Sequence, residues 1–89
     1  MDLIACNLCN FTLGQKVVVL KDNRLVENFE CENIDKLPKM LYNISIEKNI
    51  NSIILGGNKE FSSKIGQEIK EIEKSKYNFN KKEIEIRYI

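Results

Sequence analysis

The chain has 89 residues, a formal net charge of +1 and a charged fraction of 30%. This length suits a single domain, residues 1–89, and excludes a large enclosed cavity. Only two arginines are present, which argues against a nucleic-acid binder, because phosphate contacts need a clustered excess of Lys and Arg. No apolar run approaches the roughly 18 residues of a membrane span. We therefore expect a folded cytoplasmic protein that contacts neither membrane nor nucleic acid.

The three cysteines, Cys6, Cys9 and Cys31, are an odd number without a secretory signal, which indicates reduced thiols. Cys6 and Cys9 have the spacing of half a zinc site, but no second pair and no histidine completes it. We interpret them as structural and expect no metal and no cofactor. The lack of histidine also excludes the Ser-His and Cys-His nucleophile pairs of common hydrolases.

The first part of the chain predicts three strands. Leu3 to Cys6 opens an apolar strand within residues 2–9. Residues 16–21 are rich in valine, and Asp22-Asn23 separates them from residues 24–31, as in a hairpin. In the strand over residues 24–31 we expect Leu25, Phe29 and Cys31 to share one face.

The following elements are predicted to be a helix, a strand, a second helix and a last strand. The first helix runs from about Lys36 to Lys48, with Asp35 as N-cap and Pro38 in its first turn. A strand over 52–55 and a helix from about Lys59 to Tyr77 follow, and residues 83–89 alternate as a strand does. Each helix has one apolar stripe facing a sheet: Leu37, Met40, Leu41 and Ile44 in the first, and Phe61, Ile65, Ile69 and Ile72 in the second. Gly66 is expected to lie off that stripe.

The predicted fold class is α/β, a five-stranded mixed sheet with two helices in the order βββαβαβ. Right-handed crossovers place the first and fourth strands side by side and parallel at its centre. Two helices cannot cover both faces of five strands, so we expect one sheet face to be left for a partner.

This order of elements resembles the ribonuclease H-like fold, and equally the half-domain of actin-like sugar kinases and ATPases. In nucleases of that fold, a carboxylate on the first strand and another at the end of the fourth bind two metal ions. The corresponding positions look like Asn7 or Asp2, and Asn58. Amides at both positions would bring no negative charge to Mg²⁺, so the resemblance implies the fold without the nuclease activity. Residues 7–16 also contain only one glycine, unlike the phosphate-binding hairpin of the actin-like proteins.

The run Ile53 to Asn58 ends in two glycines just before the second helix. Gly56, Gly57, Asn58 and Lys59 could bind an anionic ligand or a nucleotide with backbone N–H groups at the helix N-terminus. In the structural interpretation, the glycines permit a tight turn and Asn58 is the N-cap. Lys59, Ser62 and Ser63 do not reproduce the order of a phosphate loop.

The lysines at 74, 76, 81 and 82 compensate the dipole at the end of the second helix, or contact an acidic partner. Ile84, Ile86 and Tyr88 pack within the chain, or form an edge that pairs with another chain.

We predict a non-catalytic protein that binds itself or a host protein through an exposed sheet face or edge strand. The alternatives are an anion binder at residues 56–59 and an accessory or inhibitor protein of a phage or other mobile element. The last rests on small size and on a bias to Ile, Lys and Asn typical of AT-rich genomes.

Overall fold

A computed structural model describes residues 1–8, 14–76 and 83–89 of the chain. It is an α/β protein with one five-stranded mixed sheet and two α-helices, as the sequence predicts. In chain order the elements are β1 (Leu3–Leu8), β2 (Gln15–Lys21), β3 (Arg24–Cys31), a short 3₁₀ helix (Ile34–Lys36), α1 (Leu37–Lys48), β4 (Ser52–Gly57), α2 (Lys59–Ser75) and β5 (Glu85–Tyr88). No helix within these ranges is long and apolar enough to cross a bilayer.

The strands lie in the order β3-β2-β1-β4-β5. β1 is antiparallel to β2 and parallel to β4, so the prediction of a parallel central pair is confirmed. β3 and β5 form the two edges, and each pairs with a single neighbour within the described residues, β2 and β4 respectively.

The hairpin between β2 and β3 turns at Asp22 and Asn23, which both have positive φ angles, 54° and 65°. Asn and Asp tolerate this conformation, and two such residues match the right-handed twist of the strands they join. The register then shifts at a bulge between Val19 and Leu20. Because of this bulge Leu25 pairs with Leu20, while Phe29 pairs with Val17.

The prediction that Leu25, Phe29 and Cys31 share one face is therefore wrong for Leu25. Leu25 is 58% exposed, whereas Cys31 is buried and Phe29 packs against the core. A bulge inserts one extra residue and so moves the side chains beyond it relative to the alternation.

The start of α1 also differs from the prediction. Asn33, not Asp35, supplies the capping side chain, and its Oδ1 accepts a hydrogen bond from the N–H of Asp35 at 3.0 Å. This contact forms the short 3₁₀ helix, after which α1 begins without a capping side chain. Pro38 lies in the first turn as predicted, where its missing N–H has no intrahelical partner to lose.

In α2 the predicted apolar stripe is confirmed at its centre, since Ile65 and Ile69 are buried. The helix ends at Ser75, two residues before the predicted end, and Tyr77 lies outside the described residues. Gly66 is predicted to lie off this stripe, but the packing surface of α2 is wider than the stripe and includes it. Gly66 is buried, and a Cβ there would overlap the hydroxyl group of Tyr88 in β5.

Both helices cover the same face of the sheet, which we call the helix face. Its central side chains are those of Ile4, Cys6, Val17, Val19, Ile53 and Leu55, all 0–3% exposed. The strand registers place them in adjacent rows, and they form one core with Leu37 and Leu41 of α1 and Ile65 and Ile69 of α2. The core therefore lies between the sheet and a single layer of helices.

Candidate functional site

The other side of the sheet, which we call the open face, has no helix over it in the described part of the chain. Side chains alternate along a strand, and cross-strand partners share a face, so the registers define its members. They are Leu3, Ala5 and Asn7 in β1; Lys16, Val18 and Leu20 in β2; Leu25, Asn28 and Glu30 in β3; Ser52, Ile54 and Gly56 in β4; and Glu85 and Arg87 in β5.

The centre of the open face is apolar. Its middle row runs from edge to edge as Asn28, Val18, Ala5, Ile54 and Arg87. Val18, Ala5 and Ile54 are only half-buried, as are Leu3 and Leu20 in the next row. The three inner strands thus present a continuous apolar surface, and polar side chains stand at both ends of the middle row.

The margins of the open face are charged. On one side Lys16 and Glu30 face each other across β2 and β3, and both are exposed. On the other side Arg87 is exposed and donates a hydrogen bond to the hydroxyl of Ser52 at 3.3 Å. An apolar centre with a charged rim is the usual anatomy of a protein–protein interface.

Ile89 extends the apolar surface at the end of the sheet where β1 and β4 finish. Its N–H donates to the carbonyl of Leu55 at 3.1 Å, which continues the ladder of β5. A Cβ at Gly56 would lie 3.6 Å from Asn7 Oδ1 and 3.8 Å from Ile89 Cδ1, so both side chains lie over Gly56. Ile89 remains 83% exposed, the largest value among the exposed large hydrophobic residues.

The residues predicted as a candidate interface, Ile84, Ile86 and Tyr88, lie on the opposite side. Ile86 pairs with Ile53 and Tyr88 with Leu55, both on the helix face. Ile84 is 3% exposed and belongs to the core, Ile86 packs against that core, and Tyr88 contacts α2 at Gly66. The packing interpretation therefore describes Ile84 and Ile86, whereas Tyr88 contacts α2 and is still 52% exposed. Glu85, Arg87 and Ile89 are exposed on the open face, and pairing of this edge with another chain stays a prediction.

A polar clamp holds the start of β5 against α2. Lys70 Nζ lies 2.6 Å from Glu73 Oε1 and 3.0 Å from Glu83 Oε1, and it donates to the carbonyl of Ile84 at 2.8 Å. Glu73 in turn accepts from the N–H of Ile84 at 2.6 Å. Both backbone groups of Ile84 are therefore bonded to side chains of α2. We refer to Lys70, Glu73, Glu83 and Ile84 as the clamp.

The clamp changes the protonation equilibria of its members. Partial burial of Lys70 acts to lower its pKa, but the hydrogen bonds and charges of Glu73 and Glu83 together outweigh burial, and the pKa is raised. The hydrogen bond from Lys70 lowers the pKa of Glu83. Each group is thus charged over a wider pH range in the folded protein than in the unfolded chain.

The turn after β4 brings the predicted site residues Gly56, Gly57 and Asn58 beside Asn7. Gly57 has φ of +93°, and a Cβ there would overlap the carbonyl oxygen of Leu8. The N–H of Asn58 donates to that same oxygen at 2.9 Å, and its Oδ1 accepts from the N–H of Phe61 at 2.9 Å. The close approach to β1 accounts for Gly57, and the capping of α2 accounts for Asn58, as in the structural interpretation. An anion site at this turn, with Lys59, stays a prediction.

The two candidate positions for the first carboxylate are separated by the fold. Asn7 lies next to Gly56 in the parallel ladder, near the end of β4. Asp2 lies at the other end of β1, where its carboxylate accepts from the N–H of Asp22 at 2.9 Å. Of the two, only Asn7 is therefore placed beside the β4 turn.

Cys6 and Cys31 are buried on the helix face, and the thiol of Cys31 donates to the carbonyl of Asn33 at 3.1 Å. Cys9 lies outside the described residues, as do the lysines at 81 and 82. Within residues 1–8, 14–76 and 83–89, no three Cys, Asp or Glu side chains converge on a point that could hold a metal ion.

A shallow groove of about 450 Å³ separates α1 from α2 on the outside of the helix layer. It is lined by Asp35, Pro38, Lys39, Glu68, Glu71, Ile72 and Ser75. Most of these side chains are charged or hydroxylated, and the groove lies on the opposite side of the molecule from the open face. It lacks the apolar enclosure that a small-molecule site usually has.

Comparison of the chain with models of known families and with curated proteins finds no match. The open face is consequently identified from packing alone. Sequence patterns indicated that one face would be uncovered, but they did not identify Val18, Ile54 or Arg87 as its members. Strand register supplies that information, because it decides which alternate residues meet on each side.

Proposed function

We propose that this is a non-catalytic protein that acts by binding another protein molecule through the open face. One observation carries the proposal: the helices cover only one side of the sheet, while Val18, Ala5 and Ile54 form an apolar centre on the other side. Contiguous exposed apolar surface of this kind, rimmed by charge, is typical of interaction sites.

The same proposal assigns the chain a ribonuclease H-like arrangement that has no nuclease chemistry. The strand order β3-β2-β1-β4-β5, with β2 alone antiparallel to β1, supports the arrangement. The amides of Asn7 and Asn58 stand where such nucleases would carry carboxylates, and Asn58 Oδ1 already caps α2. A neutral pair of this kind gives a divalent cation little electrostatic attraction. The buried thiols of Cys6 and Cys31 favour a reducing compartment, the cytoplasm.

The proposal is tested by changing the centre of the open face without changing the core. Ile54→Lys places a charge on the apolar surface, and Val18→Lys repeats the change on the neighbouring side of β1. Lys64→Glu, on the exposed side of α2, is the matched control. Association is measured by sedimentation velocity over increasing concentration, and by capture from an extract of the native cells on immobilised protein.

We expect the wild-type chain and Lys64→Glu to associate with the same molecule in one of these assays. Ile54→Lys and Val18→Lys should keep the wild-type circular dichroism and lose the association. Absence of any association, or association that both lysine substitutions leave intact, would overturn the proposal.

A further inference from the structure

The middle row of the open face is close to self-complementary about its central strand. In its middle row, the small side chain of Ala5 on β1 is flanked by one branched side chain on each side, Val18 on β2 and Ile54 on β4. A two-fold axis running along β1, in front of the open face, would lay β2 of one copy over β4 of the other. The branched side chains would then meet each other, and the two small alanines would meet at the centre.

The charges at the margins agree with this axis. The same rotation lays β5 of one copy over β3 of the other, so Arg87 comes to the level of Asn28 of the other copy. Glu30 is two residues further along β3, about 7 Å away along a strand. This separation is within the reach of an arginine side chain. Each copy contributes one Glu30 and one Arg87, so a symmetric pair contains two such contacts.

The alternative two-fold axis, perpendicular to the strands, sets like charges directly opposite each other. It would lay β5 over β5 and bring Arg87 of one copy near Arg87 of the other. Like charges facing each other across an interface are unfavourable, so the margins discriminate between the two arrangements. The net charge of +1 leaves little long-range repulsion between copies in either case.

We propose that the open face binds a second copy of this chain, with the two sheets packed face to face about an axis along β1. This inference rests on the proposed function and names its partner. Five strands at about 4.8 Å spacing and about five residues at 3.3 Å give a face of roughly 400 Å² in projection. Two such faces, enlarged by side-chain relief and by Ile89, reach only the low end of the roughly 1,200–2,000 Å² buried in stable complexes. The dimer is therefore weak and depends on concentration.

Charge reversal at the two margins tests the partner and the axis together. In Glu30→Arg an arginine would face Arg87, and in Arg87→Glu a glutamate would face Glu30, so each variant alone should dimerise at least about tenfold more weakly than the wild-type chain. In an equimolar mixture of the two variants, both contacts of a mixed pair are again between opposite charges. We therefore expect the mixture to recover the wild-type dissociation constant. Lys64→Glu remains the control for charge reversal away from the open face.

The measurement is sedimentation equilibrium of the full chain from micromolar to submillimolar concentration, with native mass spectrometry to distinguish mixed from like pairs. Circular dichroism of each variant checks that it is folded, and the mixture checks the interface without a new substitution. A dimer that the single variants weaken and the mixture restores supports the proposal. A dimer that is indifferent to both reversals, or a mixture that stays as weak as its components, overturns it.

The wild-type result separates this proposal from the previous one. A chain that is monomeric at every concentration, yet captures another protein in a manner abolished by Ile54→Lys, overturns self-association and leaves the proposed function standing. A monomer that also captures nothing through the open face overturns both.

Discussion

The two faces of the sheet come from the same strands and often from neighbouring residues, yet they have different compositions. On the helix face, Ile53 and Leu55 are fully buried among other branched aliphatic side chains. Between them on β4, Ile54 points the other way and is half exposed. The helix face is almost purely apolar, whereas the open face mixes alanine and branched residues with lysine, glutamate and arginine.

The difference in composition matches two roles of the sheet, stabilisation of the fold on one face and recognition on the other. Burial against α1 and α2 provides the hydrophobic stabilisation of the fold, so the helix face is constrained by packing. The open face contributes less to folding, and its mixture of apolar and charged side chains suits recognition. A substitution on one face should therefore affect mainly stability, and the corresponding substitution on the other face mainly association.

The largest effect is expected from neighbouring truncations on β4. Leu55→Ala removes a fully buried side chain from the core and should lower the free energy of unfolding by about 2–5 kcal/mol. Ile54→Ala removes a half-exposed side chain from the open face and should cost about 1 kcal/mol or less in a dilute, monomeric sample. Urea denaturation at low protein concentration measures both values.

Equal losses of stability from the two truncations would contradict the difference between the two faces, because they would mean that a covering layer also packs on the open face. A loss of stability for Ile54→Ala that grows with protein concentration would show that Ile54 acts in association, since only an associated state gives that dependence.

The next largest effect is expected at the turn between β4 and α2. Gly57→Ala places a Cβ against the carbonyl of Leu8 and forces a positive φ on alanine, so it should cost about 2 kcal/mol or more. Gly56→Ala is the matched control, since its nearest neighbours would be at 3.6 Å or beyond. We expect Gly56→Ala to unfold within about 1 kcal/mol of the wild-type chain. Thermal or urea unfolding measures both losses of stability. A larger loss for Gly56→Ala than for Gly57→Ala would show that the contact with the carbonyl of Leu8 does not require glycine at position 57.

Much of this fold could be predicted from periodicity. The apolar run of β1, the valines of β2 and the stripes of α1 and α2 identify these elements, and each stripe identifies the buried side of its helix, because a two-layer core requires one apolar face per helix. The details that were missed depend on contacts between distant residues. The bulge that exposes Leu25 has no marker in the sequence, and the burial of Gly66 depends on where Tyr88 arrives.

The candidate site could be predicted only as a face. An uncovered side follows from two helices and five strands, but its members on β5 do not. Ile84, Ile86 and Tyr88 stand out in the sequence as an apolar alternation, and in this sheet this more apolar set lies on the side of the helices. The residues left outside, Arg87 and Ile89, were part of the same alternation and could have been identified by asking which set the core would take.

The smallest effect is expected at the clamp, which fixes β5 and so sets the position of Arg87 on the open face. The lowered pKa of Glu83 means that the folded state favours its ionised form. Its contribution to stability is then fully present above the ordinary value of 4.5 and is lost as the pH falls through the lowered pKa. Glu83→Gln should accordingly melt at a lower temperature than the wild-type chain at pH 7, and the difference should vanish in acid.

Because Glu83 is exposed, added salt should reduce this difference in melting temperature at pH 7 as well. Glu71→Gln, on the exposed side of α2 and outside the clamp, serves as the control, and a difference for Glu83→Gln that persists unchanged at pH 2 would show that its contact with Lys70 is not the cause.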